Sequence, residues 1–291
     1  MTTTAFRMDS QSIARMGSDS RVSWIDDYGL LAKVADSPDY YKVANINNVL
    51  FGFAGTNKMY KAFLQNYEQA VEDSTKLLDT LVAYASLNRT QFSMLRFDGE
   101  LREFAFSPPD IQGNNKIFLD SKSKVLDTKM YAIGSGKYSK AYKSKRMNPM
   151  VCFPIKRIIG ANQTALSKNK FKTVRAKLNG LPLTQDEAST IIQACKRAGG
   201  DIFTGGEVRV MESSKNFTTA ERAAEQVEIL SELDSQAKSQ GLTCASPINA
   251  EKEISQLRSL GVQPVRPGGV DPEIQKSELF KSISRSLEGA F

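Results

Sequence analysis

Thr2-Thr3-Thr4-Ala5-Phe6-Arg7, with Met1 before it, is the stretch on which the fold of this 291-residue sequence turns. Three β-branched residues running into an apolar pair suit the start of a strand. A second run around Ser12 to Met16 and the polar Ser18-Asp19-Ser20-Arg21 predict another short strand and then a polar turn. Threonine at position 2 is small enough for Met1 to be excised, so the mature chain is expected to begin at Thr2. A free amino-terminal threonine carries a hydroxyl nucleophile and, in its α-amine with a pKa of about 8, a base on the same residue. An ordinary strand start is the other reading of the same tripeptide.

Composition narrows the chemistry. The chain has no histidine, which excludes Ser-His and Cys-His catalysis and histidine-ligated zinc. Any catalysis must run on hydroxyls, carboxylates, lysine or the amino terminus. Cys152, Cys195 and Cys244 are odd in number and far apart, which fits reduced thiols rather than a disulfide framework or thiolate metal site. No stretch reaches the roughly 18 apolar residues of a membrane span, and the first residues lack a signal-peptide core. The expectation is a cytoplasmic protein, in the host cytoplasm if virally encoded, with no membrane partner.

The net charge of +7 is concentrated. From Thr128 to Gln185 there are 13 Lys or Arg and no Asp or Glu, and the rest of the chain balances to −6. Such a block is either a solvated basic face or oligomer contact, or a surface for a polyanion or acidic partner. Its Met147, Met150, Val151, Phe153, Ile155 and Ile158 would add an apolar component to a subunit contact.

Along the chain, Tyr40 to Phe53 reads as a hairpin about Asn47-Asn48, and Gln91 to Phe106 as one about Asp98-Gly99. Apolar residues from Met59 to Leu81 recur at helical spacing, predicting one long amphipathic helix over Lys58 to Leu87. A strand at Met130 to Ile133 runs into Gly134-Ser135-Gly136, and a following helix is broken by Pro149 and Pro154. Thr184 with Glu187 marks a capped helix to Ala198, stopped by Gly199-Gly200. Asp201 to Met211 reads as a turn and strand, Thr218 to Gln240 as a polar helix capped by Thr218-Thr219-Ala220-Glu221, and the tail as loops closed by a helix near Ile274 to Leu287. This order favours an α+β fold over a doubly wound sheet.

Taken in order, Thr2 to Arg7, Asp19-Ser20-Arg21, Lys42-Val43, Gly52-Phe53-Ala54-Gly55, Ile133-Gly134-Ser135-Gly136 and Asp201-Ile202-Phe203-Thr204-Gly205-Gly206 resemble the proteasome β-subunit family and its bacterial relative HslV. The resemblance implies a four-layer αββα sandwich of the N-terminal nucleophile hydrolase type over residues 1–212, with a basic insertion at about 143–180 and a helical, loop-rich extension over 213–291. On that resemblance Thr2 matches the nucleophile, Asp19 the carboxylate that orients a lysine, and Lys42 the lysine that tunes the nucleophile. Gly55 matches the glycine whose N–H faces the oxyanion, while Ser135, Asp201 and Thr204 match residues that hydrogen-bond around the terminal amine. Position 204 is usually serine in the family.

The family further implies a threonine peptidase with no metal or cofactor, a polypeptide substrate, a homo-oligomer of a ring or stacked rings, and an ATP-dependent unfoldase as partner. Three features depart from its pattern. Thr2 to Asp19 is one residue longer than usual, so a bulge absorbs the extra residue or Thr3 takes the nucleophile's place. The stretch from Ser135 to Asp201 is longer than the family needs, and residues from 213 have no counterpart. Each named residue also has a purely structural reading: a surface turn ion pair of Asp19 with Arg21, an edge-strand Lys42, a helix-capping Ser135, a loop-satisfying Asp201. The rival is a catalytically inactive assembly or binding protein whose basic segment holds nucleic acid or an acidic partner, with Tyr138, Tyr142 and Phe171 stacking on bases.

Overall fold

The computed structural model describes residues 3–8, 13–72, 74–107, 116–118, 130–146, 154–163, 182–215 and 217–244. Met1 and Thr2, residues 147–153 and 164–181 of the basic stretch, Cys152, Phe171 and the expected helix near 274–287 lie outside them. The described chain is mixed α and β, and its sheets are antiparallel.

Strand β1 (Thr3–Met8) lies between β10 (Met130–Gly134) and β2 (Ala14–Asp19), and β11 (Val208–Glu212) completes that sheet beyond β2. The β1–β2 ladder runs from Thr4 opposite Ser18 to Met8 opposite Ala14 without a register shift. Among the described residues no bulge therefore interrupts it.

The second sheet is a run of hairpins. Asn47 and Asn48, at φ of 49° and 64°, turn β5 (Val43–Ile46) into β6 (Val49–Gly55), the left-handed pair that a two-residue hairpin requires. Gly99, at φ 109°, lies in the turn between β7 (Phe92–Phe97) and β8 (Leu101–Ser107), and β9 (Lys116–Phe118) forms the edge. A third, smaller sheet places β3 (Arg21–Ile25) between β4 (Leu31–Asp36) and β12 (Thr243–Cys244).

Alternation along the strands sorts the core. Phe6, Met16, Tyr131 and Ile133 of the first sheet meet Val43, Leu50, Leu95 and Leu101 of the second in one buried cluster. On the other side of β1 and β10, Ala5 and Ala132 receive Ile155, Ile158 and Ile159 of α5 (Ile155–Asn162) and Tyr142 of α4 (Lys140–Arg146). The approach is close: a Cβ on Gly17 would lie 2.6 Å from the Ile155 side chain. Phe51 and Phe53 point the other way from β6, into a cluster with α1 (Asn57–Gln65), α3 (Ser74–Leu87) and α7 (Ala220–Lys238). Helix α6 (Gln185–Ala198) covers Leu31 and Val34 with Ile191 and Cys195.

Several sequence expectations change. The helix expected over 58–87 is interrupted at Asn66, between α1 and α2 (Tyr67–Glu72), with α3 described from Ser74. Asn66 ends α1 because its side-chain amide donates to the Ala62 carbonyl at 2.7 Å while its backbone N–H reaches both Ala62 and Phe63, the local competition that makes Asn a poor helix-interior residue. Ser18 to Arg21 is not a surface turn: β2 runs through Asp19, β3 starts at Arg21, and Ser18, Asp19, Ser20 and Arg21 are all buried. Pro154 caps the start of α5, where its missing N–H costs nothing, and Pro149 lies outside the described residues. Ile155 and Ile158 are consequently internal and unavailable to a subunit contact, and Tyr142, at 2% exposure, is unavailable for stacking on bases. The α7 cap is Thr219, which accepts from Arg222 N–H, while the Thr218 hydroxyl accepts from Asn45 N–H. Beyond the boundary set at 212, Ala223, Leu230, Ala237 and Leu242 share the cluster of α1 and α3.

Candidate active site

Two buried polar clusters meet at the start of β1. The first is built on Asp19, fully buried at the end of β2. One carboxylate oxygen accepts the Thr3 amide at 3.0 Å, and the other accepts Gly205 N–H at 3.0 Å and Arg21 N–H at 3.3 Å. The Lys42 ammonium stands 3.5 Å from Asp19 Oδ1, donates to the Arg21 carbonyl at 2.6 Å and lies over the Tyr40 ring at 5.5 Å. Strand pairing fixes this lysine from behind, since its N–H donates to Ser18 Oγ and its carbonyl accepts from Phe53 N–H, each at 2.9 Å. Burial lowers the Lys42 pKa, and the Asp19 charge opposes that only in part.

The second cluster is built on Asp201, in the loop after α6. Its Oδ2 accepts from Ser135 at 2.5 Å and from Thr204 at 2.6 Å. Because the Thr204 proton goes to the carboxylate, the 2.7 Å contact between the Thr204 and Thr3 hydroxyls has Thr3 as donor. Asn162 Nδ2 in turn donates to Thr3 Oγ1 at 3.5 Å, and the Asn162 carbonyl accepts from Asp201 N–H at 3.0 Å. Burial raises the Asp201 pKa, against the hydrogen bonds from Ser135 and Thr204. Gly136 leaves room for this arrangement, because a Cβ there would lie 1.6 Å from Thr3 Oγ1.

Thr3 joins the two clusters, its amide on Asp19 and its hydroxyl on Thr204. Thr4 faces the opposite side of the strand, donating to the Phe53 carbonyl at 2.6 Å. The structure thus brings Asp19 together with Lys42, and Ser135 together with Asp201 and Thr204. Gly55 ends β6 at φ 136°, and a Cβ there would meet the Gln91 carbonyl and Phe92 of the β7 side. Thr2 lies outside the described residues.

Sequence reasoning missed three members. Arg21 is no surface partner of Asp19: it forms a bidentate pair with Asp36, both bonds 2.7 Å, and donates to the Ile202 carbonyl at 2.9 Å. Continued apolar alternation through Val22 and Trp24 was the signal that this segment is buried strand. Thr3 reads in the sequence only as a substitute nucleophile, and Asn162, amid the basic stretch, carries no signal at all. Among the described residues no group of acidic or cysteine side chains could hold a metal, and no helix is long and apolar enough to cross a membrane.

No family model and no curated protein matches the chain. Solved structures do. Eukaryotic HslV from Trypanosoma brucei is 16% identical over 72% of this chain and 98% of its own, at a TM-score of 0.31. Anbu from Hyphomicrobium sp. strain MC1 is 16% identical over 82% and 97%, at 0.35. Thiobacillus denitrificans BPH, solved in complex with epoxomicin, is 14% identical over 75% and 100%, at 0.36. Superpositions this loose assign neither an activity nor a set of site residues.

Proposed function

We propose that this chain is a threonine-type peptidase with the four-layer αββα architecture, that Thr2 is its nucleophile, and that it works as a homo-oligomer on polypeptide substrates. The observation that carries this reading is the buried Asp19–Lys42 pair holding the amide of Thr3, the residue next to Thr2. A buried ammonium of lowered pKa beside the leading end of a strand has the means to make a neighbouring hydroxyl more acidic. If processing goes one residue further, the nucleophile moves to Thr3, whose amide meets Asp19 and whose hydroxyl meets Thr204.

The chemistry follows from these parts. Once Met1 is removed, the Thr2 α-amine takes the hydroxyl proton while the Lys42 charge stabilises the oxygen. That oxygen attacks the scissile carbonyl, and Gly55 N–H faces the developing oxyanion. The C–N bond breaks as the ammonium returns its proton to the leaving amine, leaving an ester on Thr2. Water, deprotonated by the same amine, attacks the ester, and the hydroxyl recovers a proton as the acid product departs. The Ser135–Asp201–Thr204 chain fixes the Thr3 end of this peptide and so the direction of the residue before it.

The test is intact mass and N-terminal sequencing, followed by turnover of casein and a fluorogenic peptide panel. Mature protein should begin at Thr2 and acquire one threonine-directed epoxyketone per chain on its first residue. Thr2→Ala and Lys42→Ala should each abolish turnover, and Lys42→Arg should fail because guanidinium is bulkier and differently shaped. Wild-type turnover in Thr2→Ala, or active protein that retains Met1, would rule the mechanism out. Light scattering showing a monomer would remove the oligomer.

A further inference from the structure

Glu103 is a carboxylate in the wrong surroundings. It sits on β8 at 1% exposure, on the face that meets the first sheet, beside the cluster containing Leu95, Leu101, Tyr131 and Ile133. A charge held there is costly unless fully hydrogen-bonded. Two of its bonds reach other strands. Ser93 of β7, diagonal to it across the ladder, donates to Oε1 at 2.9 Å. The Tyr131 hydroxyl, arriving from β10 in the other sheet, donates to Oε2.

Each partner leads to a segment proposed above to act in the reaction. Ser93 is opposite Ala54 on β6, and the next pair in that ladder is Gly55 with Phe92. The Tyr131 ring lies 5.7 Å below the Lys137 ammonium, which also stands 5.3 Å from the Tyr138 ring. Lys137 is buried, two residues after Ser135 and one after Gly136, in the turn that presses on Thr3. One continuous line of bonded and stacked groups therefore spans both sheets, from the Gly55 end of β6 to the Ser135 turn.

We propose that Glu103 is a positioning residue for hydrolysis, fixing through Ser93 and Tyr131 the separation of the oxyanion-facing strand from the turn that bears Ser135. The proposal rests on the peptidase reading. Apolar burial between the sheets is non-directional. A hydrogen-bonded carboxylate sets a fixed span, because both its oxygens are directional acceptors.

The variants are Tyr131→Phe, which deletes one oxygen and keeps the ring under Lys137, Glu103→Leu, and Glu103→Gln. In Glu103→Gln the amide oxygen still accepts from Tyr131 and the amide nitrogen donates to a reversed Ser93 hydroxyl, so both links survive. Sites are counted with a peptide boronate, and kcat is expressed per titrated site on whichever panel peptide the wild type cleaves. Tyr131→Phe and Glu103→Leu should lose about tenfold or more in kcat with KM held within about twofold, the mark of misplaced groups rather than lost binding. Glu103→Gln should recover most of the turnover. Unchanged kcat per site in Tyr131→Phe, whatever its stability, overturns the proposal even if Glu103→Leu fails to fold. A Glu103→Gln as poor as Glu103→Leu overturns it as well. A wild type that neither cleaves nor takes the boronate removes the peptidase reading, and this one with it.

Discussion

Replacing Asp19 with asparagine asks what the buried pair contributes. The carboxylate serves three backbone N–H groups and the Lys42 ammonium, with no solvent exposure. An asparagine oxygen placed at Oδ2 keeps Gly205 and Arg21 but turns its NH2 toward Thr3 N–H and Lys42. Removing one partner of a buried ion pair costs about 3–5 kcal/mol, and an orphaned amide donor adds about 1–3 kcal/mol. Relaxation recovers part of this, so a loss of about 4 kcal/mol is expected, against a total of about 5–15 kcal/mol for a domain. With a urea slope of about 2 kcal/mol/M, the midpoint followed by far-UV circular dichroism should fall by about 2 M. Adding Lys42→Met to Asp19→Asn should restore at least half of the loss, since the stranded charge is then gone. The control is Asp98→Asn, whose partner Arg96 lies at 2.7 Å but in solvent reach, and which should cost no more than about 1 kcal/mol. A midpoint shift for Asp19→Asn no larger than the control's, or a double variant in which the two losses simply add, would refute the reasoning.

Three further outcomes are expected. The Asp201 carboxyl titrates above its ordinary value of 3.8, so between that pH and its folded value the folded state keeps a proton the unfolded state has shed; stability contributed by this group falls as pH rises through that window, and Asp201→Asn should flatten the slope in a pH series of thermal midpoints. Gly136→Ala places a Cβ 1.6 Å from Thr3 Oγ1, which must displace the head of β1 and cost about 1–3 kcal/mol or more by urea titration, whereas Gly160→Ala, with open space at its Cβ, should not destabilise. Thr184→Ala removes a reciprocal cap in which Thr184 and Glu187 serve each other's backbone N–H, and should lower stability by about 1 kcal/mol in the same assay.

Local chemistry was legible in the sequence where it acts over a few residues. Asn47-Asn48, the Asp98-Gly99 turn and the Thr184–Glu187 cap appear where the residue types demand them. The failures lie where distant groups decide. Ser18 to Arg21 looks like a turn because it is polar, yet Ser18, Asp19 and Arg21 spend their polarity on Lys42, Thr3, Gly205, Asp36 and Ile202, residues brought in by other strands and loops. Asn66 breaks a helix whose apolar periodicity continues past it, a contest between a side-chain amide and the backbone that hydrophobic spacing does not register. Of the candidate site, Asp19 with Lys42 and Ser135 with Asp201 and Thr204 do converge. Asn162 was invisible because nothing in its own segment distinguishes an asparagine that satisfies a threonine from one facing water.

Thr3 is gripped at both its amide and its hydroxyl, so the leading strand takes its register from an internal residue rather than from a free terminus. On the peptidase reading proposed above, trimming what comes before it need not disturb the fold. An immature chain carrying Met1, or a longer leader, can reach the same strand pairing first and expose its amine afterwards. On that same reading assembly and activation would be separable in time, and a chain awaiting cleavage would already be a folded building block.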